Sequence, residues 1–311
     1  MERLTEQKII LITQKTRLDE LIKRYNTAGQ AKFYVESHGG SFDDYVLEDE
    51  RYKAAVRKTV GFAESYGRLQ IVDREFIPNF IFGERDVVVA VGRDGLVVNT
   101  LKYLGSQKLI GVNPDPDRWD GALLPFKADD VSKIIPETVN NLRQVKNVTF
   151  AEAKLNDGQS IIGVGDIFIG RKTHMSARYE LSIGGKNEQQ SSSGIIVSTG
   201  LGATGWLKSI LAGAEGIGRY YKGDSRVKPD GEFKCDSRYL YYTVREPYPS
   251  NSTGVQIVFG RIRERELLTV TSYMPENGVI FSDGMEQDYL EFNSGTTATI
   301  GVCKKCGNLV V

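Results

Sequence analysis

Near residue 147 the hydrophobic rhythm of this chain changes, and no other feature constrains its fold as much. Before that point, short solid apolar runs alternate with longer stretches patterned at helical spacing. After it come short segments of alternating apolar and polar residues, broken by Gly, Asn or Asp. Strand–helix alternation builds a layered, mostly parallel sheet, whereas serial short strands build sandwiches or barrels. The chain is therefore read as an α/β domain over 1–146 and a β-rich domain over 147–311. The C-terminal tail is a candidate to pack back on the first domain.

In the first half, strands are expected at Lys8–Thr13, 33–37, 69–73, Val87–Val91 and 109–113. Helices are expected at 15–27, 49–66, 96–103 and 129–146, the last starting at Asp129 or Asp130. Tyr52, Ala55, Val56, Val60 and Phe62 give the second of these its helical spacing. In the second half, strands are expected at 147–154, 159–164, 166–170, 178–183, 194–199, 239–244, 254–260, 265–273, 278–282, 287–292 and 296–302. One helix, 206–217, interrupts them, and 222–234 reads as a polar loop.

Scarce residues exclude whole chemistries. Two histidines, His38 and His174, cannot build a His-rich metal site, and neither sits in a hydrolase context. His174 follows Arg171-Lys172 in an expected loop, and His38 precedes a Gly-Gly turn. Of three cysteines, Cys303 and Cys306 form a lone CxxC, expected at a turn between strands, with no second pair at zinc spacing. Forty basic residues balance forty acidic ones, which argues against a dedicated nucleic-acid or membrane-surface binder. No transmembrane run and no signal-peptide core are present, so the expected setting is cytoplasmic.

Three glycine-containing segments stand out. Gly92-Arg93-Asp94-Gly95 follows the strongest strand, at the carboxyl edge where α/β sheets bind ligands. A carboxylate there can take a proton from a hydroxyl or hold Mg²⁺ beside phosphates. Gly200-Leu201-Gly202-Ala203-Thr204-Gly205 matches GxGxxG, but a Rossmann fingerprint also needs a second strand ending in an acid about 20 residues on. Arg219–Arg226 is no buried strand, so that reading is set aside. Small residues opening a helix still let a backbone approach an anion. Ser282-Asp283-Gly284 lies between strands, and no Walker A motif occurs.

Taken in order, these segments have a family likeness. GRDG, then Asn113-Pro114-Asp115-Pro116, Gly165-Asp166, the loop Ser198–Trp206, Arg245-Glu246-Pro247 and Ser282-Asp283-Gly284 together resemble the NAD kinase family, nearest its mitochondrial-type branch and bacterial relatives. The likeness covers about residues 85–302. It implies an NAD kinase/diacylglycerol kinase-like α/β domain followed by a β-rich domain, and phosphoryl transfer from ATP, with Mg²⁺, to the 2′-hydroxyl of NAD. Asp94 would activate that hydroxyl. Gly92, Arg93, Gly95, Asn113, Asp115, Asp166, Ser198, Thr199, Gly200, Gly202, Thr204 and Asp283 would bind the nucleotides. Family members assemble as homodimers or homotetramers, so a homo-oligomer is implied here.

This chain departs from the pattern at Arg93, where the family has a second Gly, at Leu96, where it has Thr, and at Gly165, where many members have Asn. A guanidinium beside Asp94 can hold phosphate, or it can pair with Asp94 and lower its basicity. The alternatives to an NAD kinase are a catalytically silent NAD(P)-binding sensor and a kinase of the same fold acting on another hydroxyl.

Overall fold

The structure, a computed structural model, describes residues 4–223, 232–285 and 288–311. Most of the expected loop at 222–234 lies outside the described residues. The chain divides into two compact units, Met1–Lys146 with Gly307–Val311, and Asn147–Cys306.

The first unit runs β1 (Lys8–Thr13), α1 (Arg17–Tyr25), α2 (Ala28–Ser37), α3 (Phe42–Tyr66), β2 (Arg68–Asp73), β3 (Val87–Val91), α4 (Asp94–Tyr103), β4 (Lys108–Asn113), β5 (Phe126–Lys127) and α5 (Val131–Val139). Its parallel sheet has the order β2-β1-β3-β4, with β5 also pairing β4. Ile9–Ile12 and Val88–Val91 are wholly buried, as continuous apolar strands covered on both faces must be. Ile9, Leu11, Val87, Val89, Val91, Ile110 and Val112 pack with α3 and α5.

Local signals set the helices. Thr16 and Asp19 form a capping box at the start of α1, and Asn26 ends it in the left-handed region. The expected strand at 33–37 is instead the end of α2. Thr27 caps that helix by accepting from Gln30 N, and Ala31 and Val35, four residues apart, are its buried side. Helix α3 begins at Phe42, earlier than expected, after Ser41 and ahead of Asp43 and Asp44. Helix α5 is shorter than expected, and Asn141 follows it in the left-handed region.

The second unit contains β6 (Val145–Leu155), β7 (Ser160–Gly163), β8 (Asp166–Arg171), β9 (Ala177–Ile183), β10 (Lys186–Ser192), β11 (Ile195–Ser198), α6 (Trp206–Lys222), β12 (Tyr239–Val244), β13 (Phe259–Arg263), β14 (Leu268–Ser272), β15 (Gly278–Ser282), β16 (Tyr289–Glu291) and β17 (Thr297–Val310). One antiparallel set is β10-β9-β14-β17 and a six-stranded sheet is β13-β12-β11-β8-β15-β16. Tyr179, Leu181, Val270 and Ile300 from the first pack with Ile167, Ile169, Val197, Leu240 and Ile280 from the second, as in a sandwich. The last residues of β17 belong to the first unit, where Asn308 and Leu309 lie parallel to Lys108 and Leu109.

Three expectations fail here for physical reasons. Strand β10 was not expected because Lys186–Ser192 is polar throughout. It forms because Gly184 and Gly185, both at positive φ, turn it back onto β9. The strand expected at 254–260 starts only at Phe259, because the Gln256 and Ile257 amides donate to the Glu188 carboxylate rather than to a neighbouring strand. Cys303 and Cys306 lie within β17 and not in a turn, and none of the three cysteines is in a disulfide. Strand β11 is antiparallel to both β8 and β12, so the GxGxxG segment opens no Rossmann crossover. Among the described residues no helix is long and apolar enough to cross a membrane.

Gly111 in β4 connects the sheet to the loop beyond it. A Cβ there would overlap the Leu123 carbonyl. Gly111→Ala is expected to lower the unfolding free energy by about 1–3 kcal/mol, as overpacking does. Urea unfolding at constant m-value measures this, and an unchanged midpoint would show that the loop does not seat on β4.

Candidate functional site

In the first unit, Gly92, Arg93, Asp94 and Gly95 leave the carboxyl end of β3 and start α4, with Arg93 at the N-cap. Gly92 is bounded by the Leu96 and Gln14 side chains, and Gly95 faces open space. The first amides of a helix have no partner within it, so this turn presents donors.

A buried carboxylate governs the turn. Glu48 of α3 is only 7% exposed. It accepts from Arg93 Nη2 at 2.6 Å and from Arg17 Nε at 2.6 Å, and lies 3.5 Å from Arg118 Nη1. The Arg93 guanidinium also lies over the Trp119 ring, 4.2 Å from its centroid, a cation–π contact. Arg93 is thus committed to Glu48 and Trp119. Asp94 Oδ1 accepts instead from the backbone amide of Leu123 at 2.8 Å. Between the two possibilities at Arg93, pairing with Asp94 is not what the structure adopts.

Asn113 and Asp115 are both buried, with their side chains engaged inside the unit. Asn113 donates to Trp119 O at 2.8 Å and accepts from Asp115 N at 3.0 Å, which shapes the loop after β4. Asp115 pairs with Arg51 at 2.5 Å and Arg118 at 3.4 Å. That loop carries both Trp119 and the Leu123 amide. Asp44 adds contacts to Arg17 at 3.0 Å and Arg118 at 2.8 Å. A cavity of about 20 Å³ remains among Gln14, Glu48, Gly92, Arg93, Asp115 and Trp119.

In the second unit, the structure brings together Asp166, Ser198, Thr199, Gly202 and Asp283. Asp283 stands at φ 55° and accepts from the amides of Val164 at 3.0 Å, Gly165 at 2.7 Å and Asp166 at 3.2 Å. It therefore holds the β7–β8 turn. Thr199 Oγ1 donates to Val164 O at 2.6 Å and accepts from the Leu201 and Gly202 amides, and Ser198 Oγ donates to Thr199 O. Both hydroxyls are wholly buried, so they shape the loop. Gly202 is required for packing: a Cβ would overlap Gly165 O and lie 2.6 Å from Asp166 Oδ1 and Ser198 Oγ. Gly200 is crowded by the Lys234 carbonyl, whereas Thr204 is exposed.

Asp166 is the chemically distinctive member. Its Oδ1 is buried without a hydrogen-bond partner. Burial is the main cause that pushes its pKa up to about 7; the Asp283 carboxylate adds to the rise and the Ser198 hydroxyl opposes it. Gly165 leaves room beside Asp283 Oδ1, 3.3 Å from where a Cβ would stand.

Sequence reasoning missed Glu48, Arg118 and Trp119. Glu48 and Asp49 were legible as acids on the buried, helically spaced side of α3 with Tyr52 and Ala55. Nothing local marked Arg118 or Trp119. His38 ends α2, its ring against Tyr34, and His174 is exposed. Among the described residues, no group of three or more His, Cys, Asp or Glu is placed to hold a metal.

With a pKa raised from the ordinary carboxylate value of 3.8 to about 7, Asp166 makes the folded state hold the extra proton between those values. Its contribution to stability is therefore full at the acid end of that window and is lost as pH rises through about 7. Asp166→Asn is expected to gain stability relative to the parent from about pH 5 to about pH 8, measured by urea unfolding. A pH-independent difference would contradict this.

No family model matches the chain. A curated relative, the probable NADH kinase of Oryza sativa subsp. japonica, is 25% identical over 223 residues, 64% of this chain and 63% of that protein. The chain thus matches less than two thirds of that relative's length. Among solved structures, yeast NADH kinase complexed with NADH aligns at TM-score 0.61 and 15% identity, over 99% of this chain and 84% of that one. An NAD kinase from Archaeoglobus fulgidus in complex with ATP aligns at TM-score 0.56 and 15% identity, over 98% and 94%. The resemblance carried by the ordered motifs is borne out, and the fold is that of the NAD kinases.

Proposed function

With that fold as premise, we propose that the chain transfers the terminal phosphoryl group of ATP to the 2′-hydroxyl of NAD or NADH, giving NADP or NADPH. The observation that carries this is the commitment of Arg93 to Glu48 and Trp119. It leaves Asp94 with one backbone donor on Oδ1 and with Oδ2 free to accept a proton. In the reaction, the ribose oxygen forms a bond to the terminal phosphorus, the bridging bond to ADP breaks, and the hydroxyl proton passes to Asp94. Catalysis of this kind rests on positioning and charge neutralisation.

Arg17, Arg51, Arg93 and Arg118 are matched by Asp44, Glu48, Asp115 and Asp117. The cluster thus offers no surplus positive charge to a triphosphate. Charge neutralisation would be supplied by Mg²⁺ carried mainly on the substrate phosphates, which leaves Asp94 to the hydroxyl proton. The amides of Arg93 and Gly95 would meet phosphate oxygens, whereas the Gly92 amide, expected to do the same, already donates to Val112 O at 3.2 Å and ties the turn to β4. Asp166 and Thr204 would meet the dinucleotide, on a loop shaped by Ser198, Thr199, Gly200, Gly202 and Asp283. Asn113 and Asp115 would act by holding the loop that orients Asp94. Leu96 is 1% exposed, so the family's Thr is replaced here by a packing residue; that weakens the silent-sensor reading. A homodimer or homotetramer rests on resemblance alone, and sedimentation tests it.

Incubation with ATP, Mg²⁺ and NAD or NADH, followed by enzymatic detection of NADP(H), tests the proposal. Asp94→Asn is expected to slow turnover by about 100-fold or more, in line with loss of a general base. Formation of no NADP(H) from either acceptor, or undiminished turnover in Asp94→Asn, would overturn it. Turnover of another hydroxyl acceptor in its place would identify the same-fold alternative.

A further inference from the structure

The six-stranded sheet has a second apolar face, where Phe168, Ile196 and Val279 pack with Trp206, Ile210 and Phe281. A recess of about 170 Å³ opens on it. Four rings, Phe168, Trp206, Phe281 and Tyr289, and three cations, Arg171, Lys172 and Arg245, form its walls. Phe168 stacks on both Trp206 and Phe281, at 5.8 Å and 4.8 Å between centroids.

Among the described residues the cations are only weakly matched by counter-charge. The Arg171 side chain is only 9% exposed, its nearest carboxylate is the exposed Glu276 at 3.9 Å, and its buried Nε has no hydrogen-bond partner. An unmatched buried donor is costly, so this group calls for an acceptor. Lys172 lies 4.6 Å over the Tyr289 ring and Arg245 5.4 Å over Trp206. Neither has an ion pair among the described residues. An anion would therefore meet three donors, competing only with the long contact from Arg171 to the exposed Glu276.

Size, and the end of the sheet its cations occupy, distinguish this recess from the candidate site, which it borders at Trp206. Pockets for drug-sized ligands run to roughly 300–1,000 Å³, so 170 Å³ suits one ring with an acidic group and not a dinucleotide. Asp166 pairs with Ser198 at one end of β8 and β11, whereas Arg171 pairs with Gly278 and Ile195 with Val244 at the other.

We propose that this recess is a second ligand site, for a compact anion borne on a single aromatic ring or base, its charge held by Arg171, Lys172 and Arg245 against the aromatic walls. The anion is a carboxylate carried on the ring, as in nicotinate.

Calorimetric titration of the full chain with AMP, nicotinate, nicotinamide and inorganic phosphate tests this. Nicotinate is expected to bind saturably, about tenfold or more weaker in Arg171→Met and in Arg245→Met, and unchanged in Asp94→Asn; AMP, too large for the recess, is expected to be indifferent to both Met substitutions. Nicotinamide and phosphate are expected to bind at least tenfold more weakly than the ring anion. Thermal unfolding checks that each variant is folded, and either Met variant alone suffices. The proposal falls if nicotinate does not bind saturably, if its binding ignores both Met substitutions, or if phosphate alone binds as well. It falls too if the variants change only the sedimentation of the protein, since the face would then be covered by a second copy. AMP binding that persists in both Met variants would belong elsewhere and would leave the kinase proposal standing.

Discussion

One buried carboxylate, Glu48, organises the carboxyl edge of the parallel sheet. It draws in Arg17, Arg93 and Arg118 from separate parts of the chain. A carboxylate so placed is tolerable only because it is fully partnered. Its hold on Arg93 has a chemical consequence at the next residue. The guanidinium that could neutralise Asp94 is kept on Glu48 and Trp119, and Asp94 is oriented by a backbone amide instead. The loop after β4 supplies that amide, and the loop seats because Gly111 has no side chain and Asn113 bridges its ends. Sheet, loop and carboxylate are thus one mechanical system.

The second unit reaches an acidic site by a different route. Asp283 gathers three consecutive amides and so fixes the turn that carries Asp166. Gly202 lies so close to Asp166 that no other residue fits. The result is a carboxyl group kept near neutrality by burial, beside a loop whose buried hydroxyls are occupied in holding its shape. At the far end of the same strands, Arg171 and Arg245 line a recess with the opposite charge and an aromatic wall. One sheet therefore presents an acidic end and a basic end.

Much of this was legible in the sequence. Solid runs such as Val87–Val91 can only be doubly covered strands, and the change of rhythm near residue 147 separates the two architectures. GRDG after the strongest strand locates Asp94 without any coordinates. What was not legible depends on partners distant in the chain. Strand β10 is polar and exists through its hairpin with β9. Residues 33–37 read as a strand because the cap that makes them helical, Thr27, lies six residues upstream. Arg93 offered two opposite chemistries, and the choice between them is made by Glu48, 45 residues away.

The central claim is that Glu48 keeps Arg93 off Asp94, and a double-mutant cycle on NADP(H) formation tests it most directly. Glu48→Gln alone should slow phosphoryl transfer, and adding Arg93→Gly to it should recover most of the lost rate, provided both variants unfold at temperatures close to the parent. If Glu48→Gln is as active as the parent, or if Arg93→Gly restores nothing in that background, the account of this site is wrong.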